Sequence, residues 1–167
     1  MPDSGLDEFD RRILAALQAD GRLSNVELAD RVGLSPSPCL RRVKRLEQEG
    51  YIRGYRAILD RGRLGLGLTV YIEIKVEKHS AENAAALQKT LEAMPEVVAA
   101  NMVSGEPDFV AELVVADLAA YERLLTGQLL VLPMVKDIRS NFVLRAVKAD
   151  GPLPIGGGSI ARGITGR

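Results

Sequence analysis

The sequence predicts an α+β chain in which an N-terminal winged helix-turn-helix domain is followed by a ferredoxin-like βαββαβ domain. Three short capped helical patterns fill the first fifty residues, strict apolar and polar alternation begins at Leu68, and the later patterns follow the order β-α-β-β-α-β. With 167 residues and 47% apolar side chains, the chain is long enough for two small cores. We place the helix-turn-helix domain at residues 1–61, a linker at 62–66, the ferredoxin-like domain at 67–149 and a flexible, glycine-rich tail at 150–167.

The first two helices are bounded by capping signals. Asp7 is expected to cap the first helix and Gly21 to end it, and the apolar residues at helical spacing are Leu6, Phe9, Ile13 and Leu17. The second helix opens with a capping box, because Glu27 follows Ser24 by three residues, and it ends before Gly33. Its expected buried residues are Val26, Leu28 or Ala29, and Val32.

The third helix begins with Pro36 and Pro38, which a helix tolerates in its first turn because the N–H groups there have no intrahelical partner. We expect Ser35 to be the N-cap, with its hydroxyl accepting a backbone N–H, and the helix to stop before Gly50. The helical period places Leu40, Val43 and Leu46 on the inward face. The run YIRGYRAIL that follows is expected to form a wing or a strand leading out of the domain.

The charge of the chain is balanced overall but not locally. Because 22 basic side chains offset 22 acidic ones, a globally basic nucleic-acid binder is excluded. Between residues 35 and 56, however, six arginines and lysines stand against two glutamates. The helical period directs Arg41 and Arg45 outward, with Arg42 and Lys44 on the flanks, and guanidinium groups suit guanine edges and phosphates.

This outward stripe gives the candidate residues for binding double-stranded DNA, which are Ser35, Ser37, Pro38, Arg41, Arg42, Lys44, Arg45 and Gln48. Two short helices joined by a tight turn, with a preceding helix that completes their core, favour a DNA-binding helix-turn-helix. The alternative is a protein-binding three-helix module whose basic face is solvated.

The second half of the chain alternates strands and helices. Residues 68–78, LTVYIEIKVEK, alternate as a half-buried strand does, and a helix capped by Ser80 and ended by Pro95 follows, with Ala84, Leu87, Leu91 and Met94 at helical spacing. Two extended runs come next, divided by the loop Gly105 to Asp108. A helix over residues 117–130 carries Leu118, Tyr121 and Leu125, and a last strand covers residues 135–148.

Both helices of this half are expected to cover one face of the sheet, as the βαββαβ order requires. The opposite face carries Tyr71 among mixed charges. We expect that face to pack on the sheet of a partner chain.

The segment NVELADRVGLSPSPCLRRVKRLEQEGYI, the SGEPDF loop and the run LLVLPMVKD together resemble the leucine-responsive regulatory protein and AsnC family of prokaryotic transcription factors. The resemblance extends from about Leu6 to Lys148. It implies that the N-terminal half binds DNA and that the C-terminal half dimerises and senses small molecules, usually amino acids. It further implies homodimers that assemble into tetramers or octamers, with the effector near Gly105 and Asp108 at a contact between dimers.

The effector-binding set that follows from this resemblance is Ser104, Gly105, Asp108, Met134, Ile138 and Ser140. Two stretches differ from the family pattern. Met134 stands where a Leu-Pro-Gly-Val turn often has glycine, and Ile138 and Ser140 stand where the last strand often starts with threonines. An effector-independent regulator is therefore one alternative to a sensor of amino acids.

An enzyme of amino-acid metabolism is the other alternative. The sequence has one His, one Cys and no glycine-rich phosphate loop after a strand, so we predict no enzyme, no metal and no cofactor besides an amino-acid effector. His79 is expected to be a solvated loop residue and Cys39 a small packing residue rather than a thiol switch. Short hydrophobic stretches, one cysteine and an N-terminus without a signal-peptide layout predict a cytoplasmic protein without a membrane partner.

Overall fold

The computed structural model describes residues 5–77 and 80–155. The chain divides into two compact units, with one boundary between Ile58 and Leu59 and a second between Val147 and Lys148, so residues 148–155 belong to the N-terminal unit. His79 lies outside the described residues, as does the tail from residue 156 onward. Within the described residues, no helix is long and apolar enough to cross a membrane.

The N-terminal unit contains three helices, α1 (Glu8–Ala19), α2 (Asn25–Val32) and α3 (Pro36–Gln48). The predicted caps of the first two helices are confirmed: Asp7 caps α1 in a reciprocal box with Asp10, and Ser24 caps α2 in one with Glu27. Helix α1 ends at Ala19 rather than running to Gly21. Helix α2 ends at Val32, and Gly33 is its C-cap, with a φ of +77° in the left-handed conformation that glycine adopts without strain.

The start of α3 differs from the prediction in one detail. Ser35 occupies the N-cap position, but its hydroxyl accepts no backbone N–H. The reason is Pro38, which stands at the third helical position and has no N–H to donate. Residues 51–60 form no strand, so the run that follows α3 is irregular rather than strand-like. Within this segment the Tyr55 hydroxyl donates to Glu47 of α3 over 3.1 Å.

The core of the N-terminal unit contains a buried face from each helix, with Ile13, Ala16, Leu28, Ala29, Val32, Cys39 and Leu46 at its centre. Two predicted core residues are wrong. Val26 is 65% exposed because α2 buries Leu28 and Ala29 on the opposite side, and Leu40 is 42% exposed because its neighbour Cys39 occupies the inward position. The prediction that Cys39 is a packing residue is confirmed by its complete burial in this core.

The second unit is a four-stranded sheet covered by helices on one face. Its elements are β1 (Leu68–Val76), α4 (Ala81–Ala93), β2 (Val97–Met102), β3 (Phe109–Val115), α5 (Leu118–Leu124), a π-helical turn (Leu125–Leu129) and β4 (Val135–Phe142). The strand order β2-β3-β1-β4, antiparallel throughout, confirms the predicted βαββαβ fold. Alternate residues of β1 pack against Leu87 and Leu91 of α4 and Tyr121 and Leu124 of α5, so both helices cover the same face.

Three boundaries or orientations in this unit differ from the sequence-based expectation. Strand β4 ends at Phe142 instead of Lys148. Its pairing with β1 stops at Val70 and Phe142, and one further bond runs from the Val143 N–H to the Thr69 carbonyl. Leu118, named with Tyr121 and Leu125 on the predicted helix, is the first residue of α5 and is 62% exposed, whereas Tyr121 is buried. The predicted single helix over residues 117–130 changes to π-helical geometry at Leu125.

The outer sheet face carries cross-strand polar pairs. Glu73 of β1 accepts from Arg139 over 3.4 Å and from Asn141 over 3.0 Å, both on β4. Arg61 donates to Glu112 of β3 over 2.7 Å. Tyr71 lies in the middle of this face and is 42% exposed, so the face combines fixed charges with an accessible aromatic ring.

Candidate DNA interface and effector site

Helices α2 and α3 meet at a short turn from Gly33 to Ser35, as the two helices of a helix-turn-helix do. A hydrogen bond joins the N-terminal ends of the two helices, because the Asn25 side-chain amide donates to the Pro36 carbonyl over 2.8 Å. Leu34 extends the contact by donating its N–H to the Ala29 carbonyl over 2.9 Å. These two hydrogen bonds therefore fix the position of α3 relative to α2.

The exposed face of α3 carries five of the eight residues predicted to bind DNA, which are Ser35, Ser37, Arg41, Lys44 and Gln48. Among the described residues, neither Arg41 nor Lys44 forms an ion pair. The exposed Leu40 adds an apolar side chain to the same face. This surface has free cations, a hydroxyl and an apolar group, the set of contacts that a major-groove edge accepts.

Arg42 and Arg45, also in the predicted set, are directed differently from that expectation. Their guanidinium groups both bind the carboxylate of Asp10 on α1, Arg42 over 2.9 Å and Arg45 in a short contact. Arg45, expected to point outward, is thus partly exposed but also bonded to α1, a contact that the prediction did not include. The physical reason is the buried acid, which binds both guanidinium groups, although 28% of the Arg42 side chain and 42% of the Arg45 side chain stay exposed.

The Asp10 site also includes the N-terminal cap of α1. Arg42 contacts Asp7 over 2.6 Å and lies over the Phe9 ring, 5.6 Å from its centroid. The backbone N–H of Asp10 and the Arg42 guanidinium lower the pKa of Asp7 below its usual value of 3.8. Hydrogen bonds to Asp10 and Asp7 raise the pKa of Arg42, so this guanidinium is charged at every physiological pH.

Asp10 is the functional candidate that the sequence-based prediction missed. The signal was present, because Asp10 follows Leu6 by four residues and precedes Ile13 by three, which places an acid within the apolar stripe of α1. An acid in such a stripe requires cationic partners. The prediction assigned the two nearest candidates, Arg42 and Arg45, to DNA.

The predicted effector loop lies between β2 and β3. Asp108 fastens it to β1, because its carboxylate accepts from the Val76 N–H over 2.9 Å and its own N–H donates to the Ile74 carbonyl over 2.9 Å. Lys75 holds the loop from the other side through an ion pair of 3.0 Å with Glu106. A Cβ on Gly105 would meet only the Pro107 ring, at 4.0 Å, so the space above this glycine is open.

A cavity of about 460 Å³ lies beside Asp108, between the hairpin and α4. The sequence-based site lacked the α4 side of this cavity. Its polar lining comes from Asp108, Ser80 and Gln88, and its apolar lining from Val76, Ala84, Met102, Val103 and Phe109.

The other three predicted effector residues lie on or before β4. Met134 is close to the loop through the end of β1, because its carbonyl accepts from Glu77. Ile138 pairs with Ile74 and packs on the core. Ser140 faces the helices, where its hydroxyl lies 2.5 Å from that of Tyr121. The structure thus brings Met134 and Asp108 to one end of the sheet, whereas Ser140 belongs to the interior.

No group of three or more His, Cys, Asp or Glu side chains suited to a metal is present among residues 5–77 and 80–155. Burial raises the pKa of the Cys39 thiol above its usual range, so the unreactive thiol is the form present at neutral pH.

Comparison with known proteins matches both units. Residues 6–53 match the winged helix-turn-helix DNA-binding family, and residues 69–153 match the Lrp/AsnC ligand-binding domain. The leucine-responsive regulatory proteins of Klebsiella pneumoniae and Escherichia coli are 42% identical over 154 residues, which cover 92% of this chain and 94% of each relative.

Solved structures agree with these matches. A transcriptional regulator from Neisseria meningitidis in complex with L-methionine superimposes with a TM-score of 0.87 at 37% identity, over 90% of this chain and 97% of that one. An AsnC family transcriptional regulator from Agrobacterium tumefaciens gives a TM-score of 0.85 at 34% identity with the same coverage. With a helix-turn-helix that presents free cations and a C-terminal ligand-binding domain, the chain belongs to the Lrp/AsnC family of DNA-binding transcriptional regulators.

Proposed function

We propose that this regulator recognises its DNA site with the exposed face of α3 and that a small amino acid, bound beside Asp108, changes its affinity for DNA. The observation that carries the DNA half of the proposal is the exposed pair Arg41 and Lys44, which have no acidic partner among the described residues.

The chemistry of this face suits a major groove. The planar Arg41 guanidinium can donate two parallel hydrogen bonds to guanine or hold a phosphate, and Lys44 supplies a compact charge for the backbone. Leu40 can contact a thymine methyl group, a contact that needs an exposed apolar side chain. The rest of the predicted set, Ser35, Ser37, Pro38, Arg42, Arg45 and Gln48, stays a prediction, and for Arg42 and Arg45 a DNA contact would compete with their bonds to Asp10.

The effector half of the proposal rests on the cavity beside Asp108. An amino acid brings an ammonium and a carboxylate, and each must be paired when it leaves water. A carboxylate accepts several hydrogen bonds, so Asp108 can hold an ammonium while still accepting from Val76. Val76, Ala84, Met102 and Phe109 suit a short apolar side chain, and the L-methionine complex of the Neisseria regulator supports this ligand class.

We infer that the protein works as a homodimer that assembles further into tetramers or octamers. One helix-turn-helix buries too little surface for tight binding, whereas two related by a two-fold axis can enter major grooves about 34 Å apart. The outer sheet face, with exposed Tyr71 and the Glu73 and Arg139 pair, is the surface that we assign to this contact. Its cross-strand pairs leave few unsatisfied charges to desolvate.

Its curated relatives are transcription regulators, and we assign the chain no reaction. We place it in the cytoplasm, where the DNA of a bacterial cell lies.

The proposal is tested by selection from a random duplex library on the purified full-length protein. We expect a near-palindromic site to emerge and to bind at least a hundredfold more tightly than a scrambled duplex of equal length at the same salt concentration. Selection without any enriched sequence would overturn the DNA half of the proposal.

A further inference from the structure

Asp10 of α1 has no exposed surface, which sets it apart among the charged side chains of the described residues. Both of its carboxylate oxygens are engaged. One accepts from Arg42 over 2.9 Å, and the other accepts from Arg45 and from the Asp7 N–H, the latter over 3.1 Å. A carboxylate removed from water in this way is stable only because cations surround it.

Both partners of Asp10 come from α3, the helix proposed to contact DNA. Arg42 and Arg45 are three residues apart, so their side chains leave the helix on adjacent sides and converge on one acid. Arg42 is held further by Asp7 over 2.6 Å. Of the four cations between residues 41 and 45, two are thus directed to α1, and Arg41 and Lys44 are left exposed.

Two consequences follow for DNA recognition. Hydrogen bonds from two points on α3 to one buried acid restrict the rotation of α3 about its own axis, and this rotation decides which side chains point into a groove. In addition, a guanidinium held by a buried carboxylate contributes less to phosphate neutralisation than a free one.

We propose, on the basis of the proposed DNA-binding function, that Asp10 is a positioning residue for DNA recognition. It fixes the rotation of α3 through Arg42 and Arg45 and withholds these two arginines from the DNA backbone. Arg41 and Lys44 are then the cations of this helix that contact DNA.

The first test compares Arg45→Gln with the matched control Arg41→Gln, since both replace one arginine of α3 by the same uncharged side chain. Affinity for a selected duplex is measured across a range of salt concentrations. Log affinity falls as log salt rises, and we expect Arg41→Gln to make this fall shallower, with the magnitude of the slope smaller by about one. We expect Arg45→Gln to leave the slope unchanged and to lower the melting temperature instead.

The second test releases both arginines through Asp10→Asn. We expect the slope on a scrambled duplex to rise by about one for each released arginine, and the preference for the selected duplex to fall at least tenfold. In the double variant Asp10→Asn with Arg45→Gln, the increase in the magnitude of the slope should be smaller by about one, because Arg45 is no longer present to contact phosphate. General loss of structure would lower both affinities without raising the slope.

The outcomes separate the two proposals. If the wild-type protein selects no sequence, the proposed function fails. If it selects a site but Arg45→Gln loses slope as Arg41→Gln does, Arg45 contacts phosphate and the role of Asp10 is overturned. A folded Asp10→Asn protein with unchanged slope and preference would also overturn it. Should Asp10→Asn not fold by circular dichroism, the comparison of Arg45→Gln with Arg41→Gln decides.

Discussion

The carboxylate of Asp108 accepts a hydrogen bond of 2.9 Å from the backbone N–H of Val76, which joins the β2–β3 loop to the last residue of β1. One residue further, the N–H of Glu77 donates to the Met134 carbonyl over 2.9 Å. The end of β1 is thus held from both sides, by the predicted effector loop and by the turn before β4. We therefore expect a ligand that displaces Asp108 to act on this end of the sheet as well.

This connection gives a prediction for the effector. Asp108→Asn keeps an oxygen that accepts from Val76 but removes the charge that pairs with an ammonium. We expect it to abolish the change in melting temperature caused by an amino acid while leaving basal DNA affinity unchanged. Differential scanning fluorimetry with each of the twenty amino acids measures this response.

Glu106→Gln is the matched control for Asp108→Asn, because it removes a loop carboxylate whose partner is Lys75. We expect its amino-acid response to match that of the wild type. A second variant, Gly105→Val, fills the open space above the loop, and its φ is not in the left-handed region, so the fold tolerates valine. An intact response in both Asp108→Asn and Gly105→Val would place the effector elsewhere.

The cap of α1 predicts a dependence of stability on pH. The Asp10 N–H and Arg42 hold the pKa of Asp7 below its usual 3.8, so the folded state binds this proton more weakly than the unfolded state. The contribution of Asp7 to stability is therefore present above pH 3.8 and is lost as the pH falls through the lowered pKa. Asp7→Asn should melt below the wild type at pH 7, and the difference should shrink on acidification below pH 3.8. A pH-independent difference would contradict the assignment.

The hydroxyl pair of Tyr121 and Ser140 predicts a structural role for Ser140. Tyr121 is buried, and its hydroxyl lies 2.5 Å from that of Ser140. Removal of one partner from such a pair leaves a buried polar group unsatisfied, at a cost of about 1–3 kcal/mol in unfolding free energy. Ser140→Ala should therefore be destabilised by that amount.

A double-mutant cycle supplies the control for Ser140. Tyr121→Phe combined with Ser140→Ala removes both hydroxyls, so we expect it to be less destabilised than the two single changes added together. Urea denaturation measures all three variants. If the effects add and the amino-acid response is lost with Ser140 alone, then Ser140 belongs to the effector site and not to the interior.

The outer sheet face predicts the effect of an added charge on assembly. Tyr71 is 42% exposed at its centre, and a lysine there would bring an unpaired cation into any interface that covers it. We expect Tyr71→Lys to reduce the molar mass of the full-length protein in light scattering. Leu118→Lys, at a position that is 62% exposed on the helical side, is the control and should keep the wild-type mass. A wild-type mass for Tyr71→Lys would exclude this face as the contact.

Helix-capping residues and the spacing of apolar residues were sufficient to predict most elements of the fold. Asp7, Ser24 and Ser80 each stand at the N-cap of a helix and accept a backbone N–H there, and the alternation from Leu68 gave β1 with its inward residues. These signals act within a few residues of each other, so they do not depend on the rest of the chain. The length of β4 is not local in this sense, because it depends on how far its residues stay paired with β1, and that pairing stops at Val70 and Phe142.

The orientation of α3 shows where a single sequence is insufficient. Positions 39 and 40 both fit an inward stripe with Val43 and Leu46, and the period alone does not decide between them. Contacts with the other helices decide that Cys39 rather than Leu40 is buried. Asp10, more than thirty residues away in the sequence, decides which way the Arg42 and Arg45 side chains point. The cavity on the α4 side was missed for the same reason, since Ser80 and Gln88 approach Asp108 only in the folded unit.

The most direct measurement of the central claim is the affinity of the full-length protein for its selected duplex, titrated with and without each amino acid by fluorescence anisotropy. The account predicts that at least one small apolar amino acid changes this affinity about fivefold or more, the range expected for coupled sites. It also predicts that Asp108→Asn binds the same duplex equally well in both conditions. Specific binding that no amino acid alters in the wild-type protein would contradict the account and leave an effector-independent regulator.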